Sequence, residues 1–222
     1  PAGEYRRVLD DVRGEAVKLR QIVESLLFMA RAETEAGQPD LQPVELVGWV
    51  GEHLREWSGH PRANDFRLVV ELESPAWVYA HPPLLGQLVD NLLDNACKYS
   101  TSGTAITVRL TRELSAVVLV VEDMGFGLAD DETPHVFEPF FRSADARKRG
   151  DVGVGLGLAV VERIARLFGG TISADSLFGR GSRFALRLPE LAKPQEGGKA
   201  GLAAAAMGSV SGKRDPCYES DR

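Results

Sequence analysis

The sequence predicts an α+β domain, a mixed β-sheet covered by helices in two layers, preceded by one long bundle-forming helix. Three observations carry that class. Tyr5, Val8, Val12, Ala16, Leu19, Val23, Leu26 and Ala30 recur at steps of three and four, the spacing of a helix-bundle seam. Residues 116–121 are continuously apolar, as a central strand covered on both faces would be. Residues 104–110 alternate instead, with Ile106, Val108 and Leu110 on one face and Thr107 and Arg109 on the other.

The elements follow in order. The helix over residues 3–35 has one apolar stripe and needs a partner helix to bury it. The segment 37–43, with GQPD and then Pro43, reads as a linker. The domain expected over 44–189 opens with a helix at 44–57. A strand at 66–72 follows, with Phe66, Leu68 and Val70 on one face, then a short strand at 77–80. Pro82 and Pro83 suit the first turn of a helix running to Tyr99, with Leu85, Leu88, Val89, Leu92 and Leu93 facing inward. After the strands at 104–110 and 116–121 comes a Gly-rich charged loop. A helix over 155–168 then buries Val160, Val161, Ile164, Leu167 and Phe168. Strands at 171–174 and 182–188 close the sheet. Past Pro189, Gly, Ala, Ser and Lys dominate and periodicity is lost, so 190–222 reads as a disordered tail.

Composition narrows the function. With 222 residues, 44% hydrophobic and 26% charged, the chain has the make-up of an ordinary globular protein. A net charge of −6 gives no reason to expect nucleic acid as a partner. The longest apolar runs fall far short of a membrane span, and the N-terminus lacks a signal-peptide pattern. Residue 1 is Pro, so a longer parent is expected. Cys97 and Cys217 form no CxxC, and the four histidines show no metal-ligand spacing, so they read as surface or packing residues.

Four short stretches carry chemistry: NLLDNACKY at 91–99, DMGFG at 123–127, GVGLGL at 153–158 and GRGSRF at 179–184. Asn91, Asn95 and Lys98 stand four and three residues apart, so one helix face carries two amides and an ammonium. Mg²⁺ prefers oxygen ligands and keeps waters, which an amide oxygen plus phosphate oxygens would satisfy. Asp123 ends the most apolar strand, and Gly125 and Gly127 let the chain turn tightly beside it. A carboxylate there accepts a hydrogen bond from the adenine amino group and opposes the carbonyl that guanine presents. Gly153, Gly155 and Gly157 lead into an apolar helix, where backbone N–H groups suit phosphates. No Gly-Lys-Ser/Thr follows, so this is not a Walker loop. Before it, Arg147, Lys148 and Arg149 read as a solvated charge run, while Phe137, Phe140 and Phe141 read as anchors for the base of a loop.

In combination with FEPFFR at 137–142, these stretches resemble the N, G1, F, G2 and G3 boxes of sensor histidine kinases, in the family's order. The resemblance covers residues 1–189. It implies a Bergerat-type ATP-binding fold with 142–149 in a mobile lid. It also implies ATP contacts from Asn91, Asn95, Lys98, Tyr99, Asp123, Gly125, Gly127, Phe141, Arg142, Gly153, Val154, Gly155, Leu156, Gly157, Leu158 and Ser182. Asn95, with Asn91, would ligate Mg²⁺, and Asn95, Lys98 and Arg142 would serve catalysis. Gly179, Gly181 and Phe184 read as architecture, a tight turn and the start of the last strand. LLFMARAE at 26–33 is similar to the end of the second dimerisation helix, so residues 1–36 imply a homodimer in the parent. The acceptor helix is missing, and none of the four histidines has the acceptor's context. The implied activity is transfer of the γ-phosphoryl of ATP to that histidine, for relay to an aspartate on a response regulator receiver domain. The implied location is cytoplasmic, with any membrane anchor upstream. Hydrolytic ATPases of the same fold carry a glutamate base where this chain has Asn91, and an amide cannot take a proton from water. The other readings are such an ATPase and a non-catalytic nucleotide-sensing or dimerisation module.

Overall fold

The computed structural model describes residues 39–151 and 153–192, together with the single residues Tyr5 and Val23. Apart from Tyr5 and Val23, the stripe of the expected N-terminal helix lies outside the described residues, as do residues 193–222 of the expected tail. In chain order the elements are β1 (Gln42–Glu45), α1 (Leu46–Glu56), β2 (Phe66–Val70), β3 (Trp77–Ala80), α2 (Pro82–Tyr99), β4 (Ile106–Glu113), β5 (Ala116–Asp123), α3 (Ala144–Lys148), α4 (Gly157–Leu167), β6 (Thr171–Leu177) and β7 (Gly181–Pro189).

The sheet that organises the domain has five strands in the order β2-β4-β5-β7-β6. Only the β2–β4 pair is parallel, and the other pairings are antiparallel, so the sheet is mixed. β5 lies at its centre. Its residues Val117, Leu119 and Val121 join the main core with the apolar faces of α1, α2 and α4. On the opposite face Val118, Val120 and Ala185 form a small separate cluster. The expected burial of both faces is met, but the second face is built differently from a second helical layer. The register sets Arg109 beside Val120 and Arg187 beside Val118. Their guanidiniums pair with Glu71 and Glu113, which lays long aliphatic stems next to the valines.

Two boundaries differ from expectation. Val44 falls in β1 rather than in a helix, because residues 42–45 pair with β3, Val44 opposite Val78. The helix starts at Leu46, where the Glu45 carboxylate caps it by accepting from the Val47 and Gly48 N–H groups at 3.2 and 2.6 Å. The domain thus begins inside the expected linker. At the other end Glu190 makes a paired ion contact with Arg112, and the Leu191 N–H donates to the Trp77 carbonyl at 2.7 Å. The order therefore continues past Pro189, because Glu190 is held to β4 and Leu191 to β3, which pairs with β1 in a separate two-stranded sheet.

β2 is an edge strand. Leu68 and Val70 share one face as expected but stay 40% and 41% exposed at this rim, where Gly51 of α1 comes close to Leu68. α2 buries Leu85, Leu88, Val89, Leu92 and Leu93 completely and packs against α4. A polar clasp also ties it to α1. The Asp90 carboxylate takes hydrogen bonds from His53 Nε2 at 2.8 Å and Trp57 Nε1 at 2.9 Å, and the His53 ring stacks on Trp49. The hydrogen bond to Asp90 raises the His53 pKa against the opposing effect of burial. Among the described residues no helix is long and apolar enough to cross a membrane.

Candidate nucleotide site

The site grows from the last residue of β5. Asp123 is paired with β4 on one side and β7 on the other, so its position is set by backbone ladders in both directions. The residue is 5% exposed, and its carboxylate accepts from the Gly125 N–H at 2.8 Å and from the Ser182 N–H. Burial pushes its pKa up to about 6, against the opposing effect of those two backbone donors and of the Arg62 charge. The Ser182 hydroxyl itself is engaged with Ser176 Oγ at 3.0 Å.

From Asp123 the chain runs directly onto the C-terminal turn of α2. Ser100 and Gly125 form a bridge, and the Phe126 N–H donates to the Tyr99 carbonyl at 3.0 Å. The approach requires glycine, because a Cβ on Gly125 would overlap the Tyr99 carbonyl oxygen and sit 2.5 Å from Asp123 Oδ1. The Lys98 ammonium lies 4.7 Å over the Tyr99 ring, so the cation and the aromatic face occupy one corner.

The Gly-rich loop approaches the same helix from the other side. A Cβ on Gly153 would stand 2.8 Å from Lys98 Nζ, and one on Gly157 would stand 3.0 Å from Asn91 Oδ1. Asn91 commits its amide nitrogen to the Gln87 carbonyl at 2.8 Å, which leaves the amide oxygen as its remaining acceptor. Asn95 is half-buried one turn further along. Helix α4 begins at Gly157 rather than Gly155, because Gly155 adopts φ +78°, outside the helical region. Leu156 is buried and Leu158 packs on the core, so these two side chains belong to the interior, while Val154 is exposed.

The phenylalanine box supports the loop. The Phe140 N–H donates to the Gly155 carbonyl at 2.8 Å, and Phe137 and Phe141 pack on the core. The Phe140 side chain does not join the core as expected: it is 60% exposed, and the residue holds φ +67°. Arg142 donates to the Asp151 carbonyl, and its Nε is buried without a hydrogen-bond partner. The basic stretch is partly helical, as α3, capped by Ser143. Arg149 differs from the solvated charge expected of it. Its guanidinium stacks 4.1 Å over the Phe126 ring and pairs with Asp151 at 3.0 Å.

The structure therefore brings Asn91, Asn95, Lys98, Tyr99, Asp123, Gly125, Gly153 and Gly157 around the C-terminal half of α2. Two residues that hold this arrangement carry no signal in the sequence pattern: Arg62, in an irregular loop, and Glu132, whose carboxylate accepts from the Ala144 and Ala129 N–H groups. Cys97 lies in the last turn of α2, and burial pushes its thiol pKa up to about 11, which disfavours the reactive thiolate.

Residues 80–192 match the family model of histidine kinase-, DNA gyrase B- and HSP90-like ATPases, which sets the class of this fold and site. Among curated proteins the chain is 31% identical to the sensor histidine kinase RppB of Synechocystis over 192 residues, 86% of this chain and 42% of that protein. Among solved structures it matches the mycobacterial sensor histidine kinase MprB at 30% identity and a TM-score of 0.58, over 68% of this chain and 98% of that one. It also matches full-length ShkA in complex with AMPPNP at 25% identity and a TM-score of 0.69, over 83% of this chain and 38% of that one. The chain spans half or less of the length of these curated relatives. This chain belongs to the sensor histidine kinases and carries their ATP-binding catalytic domain.

Proposed function

We propose that this domain binds ATP with Mg²⁺ and, in its parent protein, transfers the γ-phosphoryl group to a histidine outside this chain, for relay to a response regulator aspartate. The observation that carries the reading is the convergence of the Asn/Lys face, the buried Asp123 and the glycine loop on one half of α2. The nucleotide analogue bound by the related ShkA supports it. The parent would act as a homodimer joined through residues 1–36, on the cytoplasmic side of any membrane.

Each residue has a role that its position permits. The Asp123 carboxylate accepts from the adenine amino group and repels the guanine carbonyl. Gly125 lets the loop after Asp123 close onto Tyr99, Gly127 lets it pass against the Leu177 backbone, and Tyr99 lies beside the base. The Lys98 ammonium and the Arg142 guanidinium offset phosphate charge, and the Gly153–Gly157 N–H groups face the phosphates ahead of α4. Among the described residues no group of three or more His, Cys, Asp or Glu could hold a metal ion. Asn91, with its amide nitrogen tied to Gln87, and Asn95 offer amide oxygens that suit a hard cation shared with phosphate oxygens. When bound, Mg²⁺ supplies neutralisation of the phosphate oxygens. Asn91 cannot act as a base toward water, which favours transfer to a side chain over hydrolysis.

The test joins this chain to a helix that carries an acceptor histidine and follows labelled γ-phosphate from Mg·ATP. The reading expects label on a histidine, lost in Asn95→Ala, with negligible phosphate release to water. Rapid steady hydrolysis without labelled histidine would contradict it.

A further inference from the structure

Arg62 is a charged residue buried to 7% exposure in the loop between α1 and β2. Its guanidinium is fully engaged. Nη1 donates to the Cys97 carbonyl at 2.7 Å, the Ser100 carbonyl at 3.1 Å and Ser100 Oγ at 2.8 Å. Nη2 donates to the Thr101 and Thr104 carbonyls at 2.9 and 3.2 Å, and Nε donates to Asp65 Oδ2 at 2.7 Å. The same Asp65 oxygen accepts from the Gly103 N–H at 3.0 Å.

Four of these acceptors are backbone carbonyls of the end of α2 and the following turn, where the helix has run out of its own N–H donors. A cation at this end also opposes the helix dipole. The opposite side of the same turn carries the site. The Tyr99 carbonyl holds the Phe126 N–H, Ser100 bridges to Gly125, and Lys98 and Tyr99 project from the last helical turn. The turn is thus clamped between Arg62 on one side and the loop after Asp123 on the other.

We propose that Arg62 is a positioning residue of the nucleotide site, fixing from behind the turn on which both the phosphate-side Lys98 and the adenine-side Gly125 loop depend. It sets nucleotide affinity and base selectivity through that turn. The role rests on the nucleotide-binding reading above. A planar fork with five donors is what serves these diverging acceptors, and a lysine supplies the charge without the fork. The two contributions are therefore separable, because the charge acts on Asp123 and the fork acts on the turn. The charges felt by Asp123 are Arg62, which favours its ionised form, and Glu122, which opposes it.

The experiment measures Mg·ATP and Mg·GTP affinity by calorimetry across pH 5–8, with thermal melting, for wild type, Arg62→Lys and Arg62→Gln. In Arg62→Gln, ATP affinity should fall by about 10-fold or more, the preference for ATP should shrink, and the pH midpoint of binding should move upward. Arg62→Lys should keep the wild-type pH midpoint while losing affinity by several-fold. Folded variants that bind ATP as wild type does, with an unmoved midpoint and only a lower melting temperature, would overturn the role. Should Arg62→Gln fail to fold, wild-type affinity in folded Arg62→Lys would overturn it alone. No binding by wild type would instead sink the nucleotide reading itself, and the role with it.

Discussion

The two ends of the nucleotide site are built from different materials. At the adenine end, Asp123 sits in a ladder between two strands, and the chain after it touches the backbone of α2 with no room for a methyl group. At the lid end, contact runs through exposed long side chains, chiefly Arg149 on Phe126 and the Lys98 ammonium near Gly153. Backbone held by a sheet is positioned before any ligand arrives, whereas long side chains lose rotamer freedom when they are ordered. On the proposed reading, the adenine end is therefore preformed and the phosphate end adaptable.

That contrast sets the order of effects. Gly125→Ala should be the most damaging, since the new methyl meets backbone that two elements hold in place. The expected loss is about 1–3 kcal/mol of stability, with ATP binding abolished, as read by thermal melting and calorimetry. Near-normal binding in this variant would show that the adenine end yields after all.

A pH titration gives the next effect. Asp123 titrates at about 6, above its ordinary value of 3.8. If Asp123 binds adenine as proposed, its ionised carboxylate is the stronger acceptor and the protonated form brings a competing O–H donor, so ATP affinity should fall by up to roughly 10-fold between pH 7 and pH 5, and the fall should be absent in Asp123→Asn. Stability of the empty domain should change in the opposite direction. A carboxyl whose folded pKa is raised favours folding below the unfolded value, and that contribution is lost as pH rises through about 6. The smallest effect belongs to the lid. Arg149→Ala should change stability by less than about 1 kcal/mol and ATP affinity by no more than about threefold. A larger loss would show that the lid is as preformed as the floor.

The sequence made some of this legible and concealed the rest for physical reasons. Apolar periodicity reported which face of α2, α4, β4 and β5 is buried, because the period of an element and the direction of its side chains are local properties. The glycine boxes were legible because close approach and positive φ demand a residue without a Cβ. Val44 was misplaced because its strand exists only through pairing with residues 77–80, a partner that no local pattern announces. Arg62 and the His53–Asp90–Trp57 clasp were invisible for the same reason. Their bonds join irregular loops or helix faces to residues more than thirty positions away. Phe140 looked like its neighbours in composition and differs from them only by a backbone angle.

The most direct test of the account is calorimetry of Mg·ATP and Mg·GTP binding at pH 7.5 to the wild-type chain and to Asp123→Asn, with thermal melting of both. The account predicts ATP preferred over GTP by at least about 10-fold in wild type, a preference lost in the variant, and a melting temperature that the substitution does not lower. Equal binding of the two nucleotides by wild type, or an undiminished preference in Asp123→Asn, would contradict it.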